Sequence, residues 1–193
     1  MSYQPTLLAF AGSARKASFN KRLIKIAVRG AEAAGAKVTL IDLKDFPLPL
    51  FNQDDEEEKG YPENVGKLKA LFKAHDGLLI SSPEYNSSIS GLLKNTIDWI
   101  SRREEGEKPL EYFTGKVVSL MSASPGALGG LRGLVHVRSI LGNIGVIVLP
   151  DQVAVPKADE AFDEKGNLKD ARKQAAVEKL GLNVSEILKK LKS

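Results

Sequence analysis

The chain has 193 residues, a length that fits one domain and allows a substantial hydrophobic core. Its 42% hydrophobic and 27% charged residues are ordinary for a globular protein, and the absence of cysteine excludes disulfides, thiolate nucleophiles and cysteine-ligated metals. With only two histidines, we also expect no metal site rich in histidine. The net charge is +4, but 24 acidic residues are interspersed among the basic ones and the sequence has no long basic run. This distribution of charge disfavours nucleic acid as a partner.

The sequence also bears on the location of the protein. No apolar stretch reaches the roughly 18 residues that indicate a membrane span. The first residues, MSYQPTLLAF, lack the basic segment and the small-residue cleavage site of a signal peptide. We therefore expect a cytoplasmic protein without a membrane span.

Five short apolar segments bounded by glycine or proline predict β-strands, and the longer segments between them predict helices. The predicted strands cover 6–12, 37–43, 77–83, 116–122 and 145–150. The predicted helices lie near 19–34, 63–75, 89–104, 127–143 and 168–191. Most of the strands lack polar alternation, as expected when both faces of a sheet are covered. The pattern predicts one α/β domain over residues 1–193, with a parallel sheet, right-handed crossovers and helices on both faces.

Two segments interrupt this alternation. The first, DFPLPLFNQDDEEEKGYP at 45–62, is rich in proline and acid, and we predict an irregular segment whose acidic part is a solvated surface loop. The second, 153–167, predicts another loop with a small strand at its start.

Small and polar residues collect after the first, third and fourth predicted strands, in GSARKASFN, SSPEYNSSISG and SASPGALGG. Open parallel sheets bind ligands beyond the carboxyl ends of their strands, where the strand order reverses. Three such loops at one edge are hard to explain as turns alone. The sequence therefore predicts a ligand site at this edge.

The first loop has the composition of a phosphate site. Gly12 permits the exit from the strand, Ser13, Ser18 and Asn20 offer hydrogen-bond donors, and Arg15 adds a charge close to a helix N-terminus. A simpler interpretation is that Ser18 only caps the helix, and the two are compatible. The loop has neither the Walker pattern nor G-x-G-x-x-G, so a mononucleotide on a flavodoxin-type sheet fits better than a nucleoside triphosphate or a dinucleotide.

The other two loops suit the ring of a flavin. Pro83 fixes the backbone of the second loop, Tyr85 offers an aromatic edge, and Asn86 offers hydrogen bonds to an imide. The small residues of the third loop let backbone N–H groups approach a planar ring. The structural alternatives are ordinary packing for Tyr85, a solvent-facing charge for Glu84, and a tight turn for the third loop, which would account for one glycine more easily than three.

The elements GSARKASFN, SPEYNSSISGLLKNTIDW and SASPGALGGLR together resemble the NAD(P)H-dependent FMN reductase family of flavodoxin-like proteins, which includes bacterial quinone and chromate reductases. The resemblance covers nearly the whole chain, and its middle element is the most specific. It implies a flavodoxin-like three-layer sandwich, with a five-stranded parallel sheet of order 2-1-3-4-5 between two layers of helices.

The resemblance also implies a set of cofactor contacts. Ser13, Arg15, Ser18 and Asn20, with the backbone of Phe19, would hold the FMN phosphate. The ring and ribityl chain would lie against Pro83, Glu84, Tyr85, Asn86 and Ser87. The isoalloxazine would be bordered by Ser122, Ser124, Pro125, Gly126 and Gly129.

The implied activity is transfer of hydride from NADPH or NADH through bound FMN to a quinone, flavin, azo compound or metal oxyanion. It requires no metal and no catalytic side chain, and the family implies a homodimer or homotetramer. Three alternatives remain at this point: a flavodoxin-like electron carrier, which the basic charge disfavours; a non-catalytic binding protein; and a phosphate-ester hydrolase, which lacks a nucleophile and metal ligands in the first loop.

Overall fold

The structure is a computed structural model that describes residues 3–192. Strands and helices alternate along the chain, as the sequence predicts. The strands are β1 (Thr6–Ala11), β2 (Lys37–Leu40), β3 (Gly77–Ser81), β4 (Glu84–Tyr85), β5 (Ser88–Ile89), β6 (Val117–Ala123) and β7 (Ile147–Val155). The helices are α1 (Phe19–Ala33), α2 (Gln53–Lys59), α3 (Glu63–Lys73), α4 (Gly91–Ser101), α5 (Leu131–Asn143), α6 (Ala158–Ala161) and α7 (Ala171–Leu191). None of these helices combines the length and hydropathy that a membrane span requires.

The main sheet is parallel and has the order β2-β1-β3-β6-β7. Without the short β4–β5 hairpin, this is the predicted order 2-1-3-4-5, and the flavodoxin-like prediction is confirmed. The order reverses direction at β1, so the loops after β1, β3 and β6 leave from three neighbouring strands. The predicted edge of the sheet is therefore one continuous surface.

Each strand of the sheet supplies two hydrophobic cores because its side chains alternate between the two faces. Leu7 and Ala9 of β1 pack with residues of α1 and α7. Leu8 and Phe10, the residues that alternate with them, pack with residues of α3, α4 and α5 on the other face. This double burial is the physical reason that the strand segments read as continuous apolar runs rather than alternating ones.

Three local predictions need correction. The acidic part of 45–62 is not a loop throughout, because Gln53–Lys59 form the exposed helix α2, which Asn52 caps by accepting a hydrogen bond from the N–H of Asp54. The small strand expected near residue 153 is the end of β7, which extends to Val155 after its pairing with β6 shifts register between Val118 and Leu120, and the loop predicted to follow it contains the short helix α6. The second polar loop contains a β-hairpin that the sequence analysis did not predict.

The segment after β2 is fastened to α4. The Pro49 carbonyl accepts hydrogen bonds from Trp99 Nε1 at 2.8 Å and from Asn95 Nδ2 at 2.9 Å, and Asn95 Oδ1 accepts from the N–H of Phe51 at 2.8 Å. Further along the segment, Arg102 pairs with Glu56 at 2.8 Å. These contacts account for Asn95 and Trp99 of the LLKNTIDW motif, whose apolar residues Leu93 and Ile97 lie in the core.

Helices α1 and α7 cross at two glycines. An added Cβ at Gly30 would overlap the backbone of Glu178, and one at Gly181 would overlap the carbonyl oxygen of Ala27. The two backbones can approach this closely only because neither residue has a side chain. The contact holds α1, the helix that follows the first polar loop, against α7.

We expect Gly30→Ala to destabilise the protein by about 1–3 kcal/mol, because the methyl group would collide with backbone that cannot move aside. Helix propensity alone predicts the opposite sign, a gain of about 0.5–1 kcal/mol. Gly66→Ala in α3 is the matched control, since a Cβ there meets nothing within 4 Å, and it should show that gain. Urea unfolding measures the change in the free energy of unfolding for both variants. A Gly30→Ala protein more stable than wild type would contradict the close crossing of the two helices.

Candidate functional site

Residues from all three polar loops line one cleft of about 80 Å³ at the carboxyl edge of the sheet. Of the predicted site residues, this cleft brings together the whole first set, three residues of the second and two of the third: Ser13, Arg15, Ser18, Phe19, Asn20, Pro83, Glu84, Tyr85, Ser124 and Pro125. Ala123, which the sequence analysis did not single out, also lines it. Asn86, Ser87, Ser122, Gly126 and Gly129 do not line the cleft.

The first loop presents donors from backbone and side chains. Ser18 caps α1 by accepting a hydrogen bond from the N–H of Lys21 at 3.4 Å, which confirms the capping interpretation. Ser13 Oγ accepts from the N–H of Arg15 at 3.3 Å. The backbone N–H groups of Phe19 and Asn20, in the first turn of α1, have no hydrogen-bond partner within residues 3–192. Arg15 is exposed and likewise has no side-chain partner there.

Gly12 is required for a reason other than the one predicted. Its φ is not positive, and its N–H continues the ladder by donating to the Ser81 carbonyl at 2.9 Å. An added Cβ would lie 2.9 Å from the Cβ of Leu93, and Ser90 Oγ donates to the Gly12 carbonyl at 2.6 Å. The glycine therefore allows the start of α4 to approach the first loop.

The Asn20 side chain joins the start of α1 to the ends of β3 and β6. Its Nδ2 donates to the Ala123 carbonyl at 2.9 Å, and its Oδ1 accepts from Ser81 Oγ at 2.8 Å and from the N–H of Ala123 at 3.0 Å. The residue is 3% exposed. The side-chain amide, which the sequence analysis assigned to a phosphate, is thus bonded to β3 and β6, and the backbone N–H is the group of Asn20 that is free.

The second loop folds into a tight hairpin. Asn86 and Ser87 connect β4 and β5 with φ angles of 49° and 66°, the left-handed pair of a two-residue type I′ turn. Asparagine tolerates this conformation better than most residues do, which gives Asn86 a structural reason to be present. Tyr85 lies beside the turn and is 51% exposed.

Glu84 connects the second loop to the helix that follows the third. Its Oε1 accepts from Arg132 Nη2 at 2.6 Å and Nε at 2.9 Å, and its Oε2 accepts from the N–H of Gly133 at 3.1 Å. The N-cap residue of α5 is Gly130, which has no side chain to cap the helix, so this carboxylate takes that role. Burial alone would raise the pKa of Glu84, but the Gly133 N–H and the Arg132 guanidinium outweigh it and lower the pKa. Glu84 is therefore not a solvent-facing charge.

The fold requires two of the three glycines in the third polar loop, Gly129 and Gly130. Gly129 and Gly130 have φ angles of 62° and 90°, and a Cβ at Gly129 would lie 2.6 Å from the backbone of Pro156. A Cβ at Gly130 would overlap the hydroxyl of Ser122, which is fully buried and has no hydrogen-bond partner among the described residues. The turn interpretation thus accounts for two glycines.

Gly126 is different from these two. It is exposed, its φ is not positive, and an added Cβ would meet only Ser124 Oγ, at 3.7 Å. No contact within residues 3–192 requires a glycine at this position. Its small size leaves open space in front of Ser124 and Pro125, where a flat ligand could approach the loop backbone.

We expect Glu84→Gln to lower the free energy of unfolding by about 1 kcal/mol at pH 7, because hydrogen bonds to a charged acceptor are stronger than those to a neutral one. The pKa of Glu84 is lower in the folded protein, so its contribution is complete above the unfolded pKa of about 4.3 and is lost as the pH falls through the folded pKa. Urea unfolding at several pH values should therefore show the difference from wild type shrinking below about pH 4. Glu105→Gln, an exposed glutamate, is the control; a difference independent of pH would contradict the assigned role of the charge.

Comparison with known proteins agrees with this geometry. The family model for NADPH-dependent FMN reductase matches residues 5–160. The chain is 34% identical over 179 residues to an NAD(P)H-dependent FMN reductase of Pseudomonas aeruginosa, covering 92% of each protein, and 36% identical over 149 residues to a quinone reductase of Escherichia coli, covering 77% of this chain and 76% of the relative. The flavoenzyme NAD(P)H:(acceptor) oxidoreductase FerB from Paracoccus denitrificans has a similar structure, with a TM-score of 0.79 and 26% identity over 96% of this chain and 98% of that one. The chain therefore belongs to the NADPH-dependent FMN reductase family, with FMN as its cofactor and NAD(P)H as its electron donor.

Proposed function

We propose that the cleft at the carboxyl ends of β1, β3 and β6 holds FMN, and that the protein passes reducing equivalents from NAD(P)H to a small-molecule acceptor. The acceptor class we propose is a quinone, a flavin, an azo compound or a metal oxyanion. The observation that carries the proposal is the single cleft lined by all three polar loops, in a chain that belongs to an FMN reductase family.

The chemistry of the donors fits a phosphate. Ser13 Oγ and Ser18 Oγ each accept a hydrogen bond from a backbone N–H, which leaves their own protons free to donate outward. The free N–H groups of Phe19 and Asn20 lie at the positive end of α1. Arg15 is exposed and adds a positive charge to the lining of the cleft. We assign the phosphate of FMN to these groups.

The ring of FMN is assigned to the other side of the cleft. Pro83, Tyr85 and Pro125 present flat or apolar surface there, and the space in front of Gly126 lets a ring lie close to the backbone. We assign Asn86, Ser87, Ser122 and Gly129 to shaping these loops, since none of them lines the cleft. Glu84 and the Asn20 side chain fix the spacing of the loops.

The protein contributes binding and orientation. The redox chemistry itself, acceptance of a hydride from NAD(P)H and its transfer onward, is what FMN supplies when bound. Fixed loops act by holding reacting groups in one geometry and aiming backbone dipoles at them, so no acid–base side chain is needed for the first half of the reaction.

The histidines argue against the hydrolase alternative. His75 is hydrogen-bonded to the Leu71 carbonyl at 2.6 Å and to Thr39 Oγ1 at 2.7 Å, and His136 is hydrogen-bonded to Ser88 Oγ at 2.8 Å. Neither contacts Ser13 or Ser18, so neither can activate a serine of the first loop as a nucleophile. An electron carrier is distinguished by experiment, because the proposed enzyme reduces its own flavin when NAD(P)H is added and a carrier does not.

A homodimer or homotetramer is also part of the proposal. Leu131 and Val135, one turn apart in α5, are 43% and 58% exposed, and Leu128, which precedes the helix, is 49% exposed. Large apolar side chains that are neighbours on a surface are typical of an interface. Sedimentation velocity tests this, and a monomer at micromolar concentration would contradict it.

The cytoplasm, where NAD(P)H is available, is the location we propose.

We expect the purified protein to bind FMN more tightly than riboflavin, and Arg15→Ala to weaken FMN binding about 10- to 100-fold through loss of a charge-assisted hydrogen bond. The affinity for riboflavin should not change, because riboflavin has no phosphate. Arg103→Ala removes an exposed arginine beyond the end of α4 and serves as the control. Fluorescence titration measures all of these affinities, and equal wild-type affinities for FMN and riboflavin would contradict the phosphate assignment.

A further inference from the structure

The excess positive charge of the chain lies in one segment, and a segment of opposite charge follows it directly. Residues 13–44 contain eight basic and two acidic residues, whereas residues 45–58 contain six acidic residues and no basic one. The first segment supplies the first polar loop, α1 and β2, and the second supplies the chain after β2 and most of α2. Of all these charged residues, only Arg15 lines the FMN cleft.

The basic segment lines a groove of about 470 Å³ between α1 and the chain after β2. Lys16 and Lys25 are exposed in this lining and have no ion-pair partner within residues 3–192. Asp42 is neutralised by Lys21 at 2.6 Å, and Asp45 is the one carboxylate of the lining without a cationic partner in the described chain. Cations therefore outnumber carboxylates among the uncompensated charges of the groove.

The groove also has an apolar surface. Ile24 is buried beneath it, Ile41 is half-buried, and Leu40 is 42% exposed although it ends a strand. Arg22 lines the groove as well, but its guanidinium is held over the ring of Phe162, 4.5 Å from the ring centre, so we count only the two lysines as cations of the groove. An acidic segment that carries an apolar side chain would complement both surfaces.

The helix α2 belongs to the acidic segment and has no buried residue. Two of its carboxylates are paired with cations, and three have no such partner within residues 3–192: Asp54, Glu57 and Glu58. A helix of seven residues is too short to be stable in water by itself, so most of its stability has to come from contacts. Its exposed face and its uncompensated charge are both left for binding another molecule.

The chain just before α2 presents an apolar side chain to solvent. Leu50 is 82% exposed, more than any other large hydrophobic residue in the described chain. Its backbone is fixed on both sides, because the Pro49 carbonyl accepts hydrogen bonds from Trp99 and Asn95, and the N–H of Phe51 donates to Asn95. A fixed segment loses little conformational entropy on binding, so Leu50 is a preorganised apolar anchor.

We propose that Leu50 and α2 of one copy of the chain bind in the groove of a second copy. Leu50 covers the apolar surface of the groove, and the carboxylates of α2 lie beside Lys16 and Lys25. The groove wall and α2 belong to the same connection between β2 and α3, so a twofold axis lets two copies exchange this contact in both directions. The inference rests on the part of the proposed function that gives the protein a second copy, and the contact is separate from the apolar residues of α5.

Charge reversal, followed by sedimentation velocity of the full chain, tests the contact. The groove variant carries Lys16→Glu and Lys25→Glu, and the helix variant carries Glu57→Lys and Glu58→Lys. We expect each variant alone to associate at least about 100-fold more weakly than wild type, because like charges then face each other. An equimolar mixture of the two should associate within about tenfold of wild type, since each reversed groove then meets a reversed helix.

Two further variants separate the apolar anchor and the net charge from the contact itself. Leu50→Ser removes the anchor without changing any charge, and it should weaken association about tenfold or more while keeping the salt dependence. Lys108→Glu combined with Lys179→Glu changes the net charge as much as the groove variant does, at two exposed lysines that do not line the groove, and it should associate as wild type does. All variants should bind FMN normally, because none of the changed residues lines the FMN cleft.

A groove variant that associates as tightly as wild type, or a mixture that associates no better than its two components, would overturn the inference. A wild-type protein that is monomeric at micromolar concentration would overturn it as well. Failure of wild type to bind FMN would instead overturn the proposed redox function, and the association of the flavin-free protein would still report on the groove. The two failures are therefore distinguishable.

Discussion

The arrangement of the site depends on one buried side chain, the amide of Asn20. It donates to the carbonyl of Ala123 and accepts from the N–H of Ala123 and the hydroxyl of Ser81, so the first turn of α1 is bonded to the ends of β3 and β6. Those partners are buried, and without the amide they would be left with unsatisfied polar groups at a cost of about 1–3 kcal/mol each. These bonds fix the position of the first polar loop relative to the second and third polar loops without any ligand.

Two further contacts support this arrangement from either side. The carboxylate of Glu84 caps α5 and pairs with Arg132, which fixes the second loop against the helix after the third. The close crossing at Gly30 and Gly181 holds α1 against α7. A reaction whose chemistry is carried by a cofactor depends on positioning. The buried polar bonds of this edge meet that requirement, and Arg15 and the free N–H groups of α1 are the groups that we propose bind the ligand.

The sequence was sufficient for the order of the sheet and for the grouping of the three loops, because both follow from strand–helix alternation and the carboxyl-edge rule. It was not sufficient for contacts between distant residues. The reason for Gly12 is the approach of Leu93, and the partner of Glu84 is Arg132, and neither pairing has a local signal. The hairpin at Asn86 and Ser87 was missed because its strands have two residues each, too few to show alternation. The sequence assigned the Asn20 side chain to a phosphate and gave no sign that it bonds to Ser81 and Ala123, which are distant in sequence.

Urea unfolding of Asn20→Ala, with and without FMN, tests the central claim most directly. The account predicts that the apoprotein loses about 2–4 kcal/mol of unfolding free energy and that FMN no longer raises the midpoint at concentrations that stabilise wild type. Asn64→Ala, which removes a single surface hydrogen bond to the Pro47 carbonyl, should change the free energy by less than about 0.5 kcal/mol and retain the response to FMN. An Asn20→Ala protein as stable as Asn64→Ala, and equally stabilised by FMN, would show that the amide does not hold the site together.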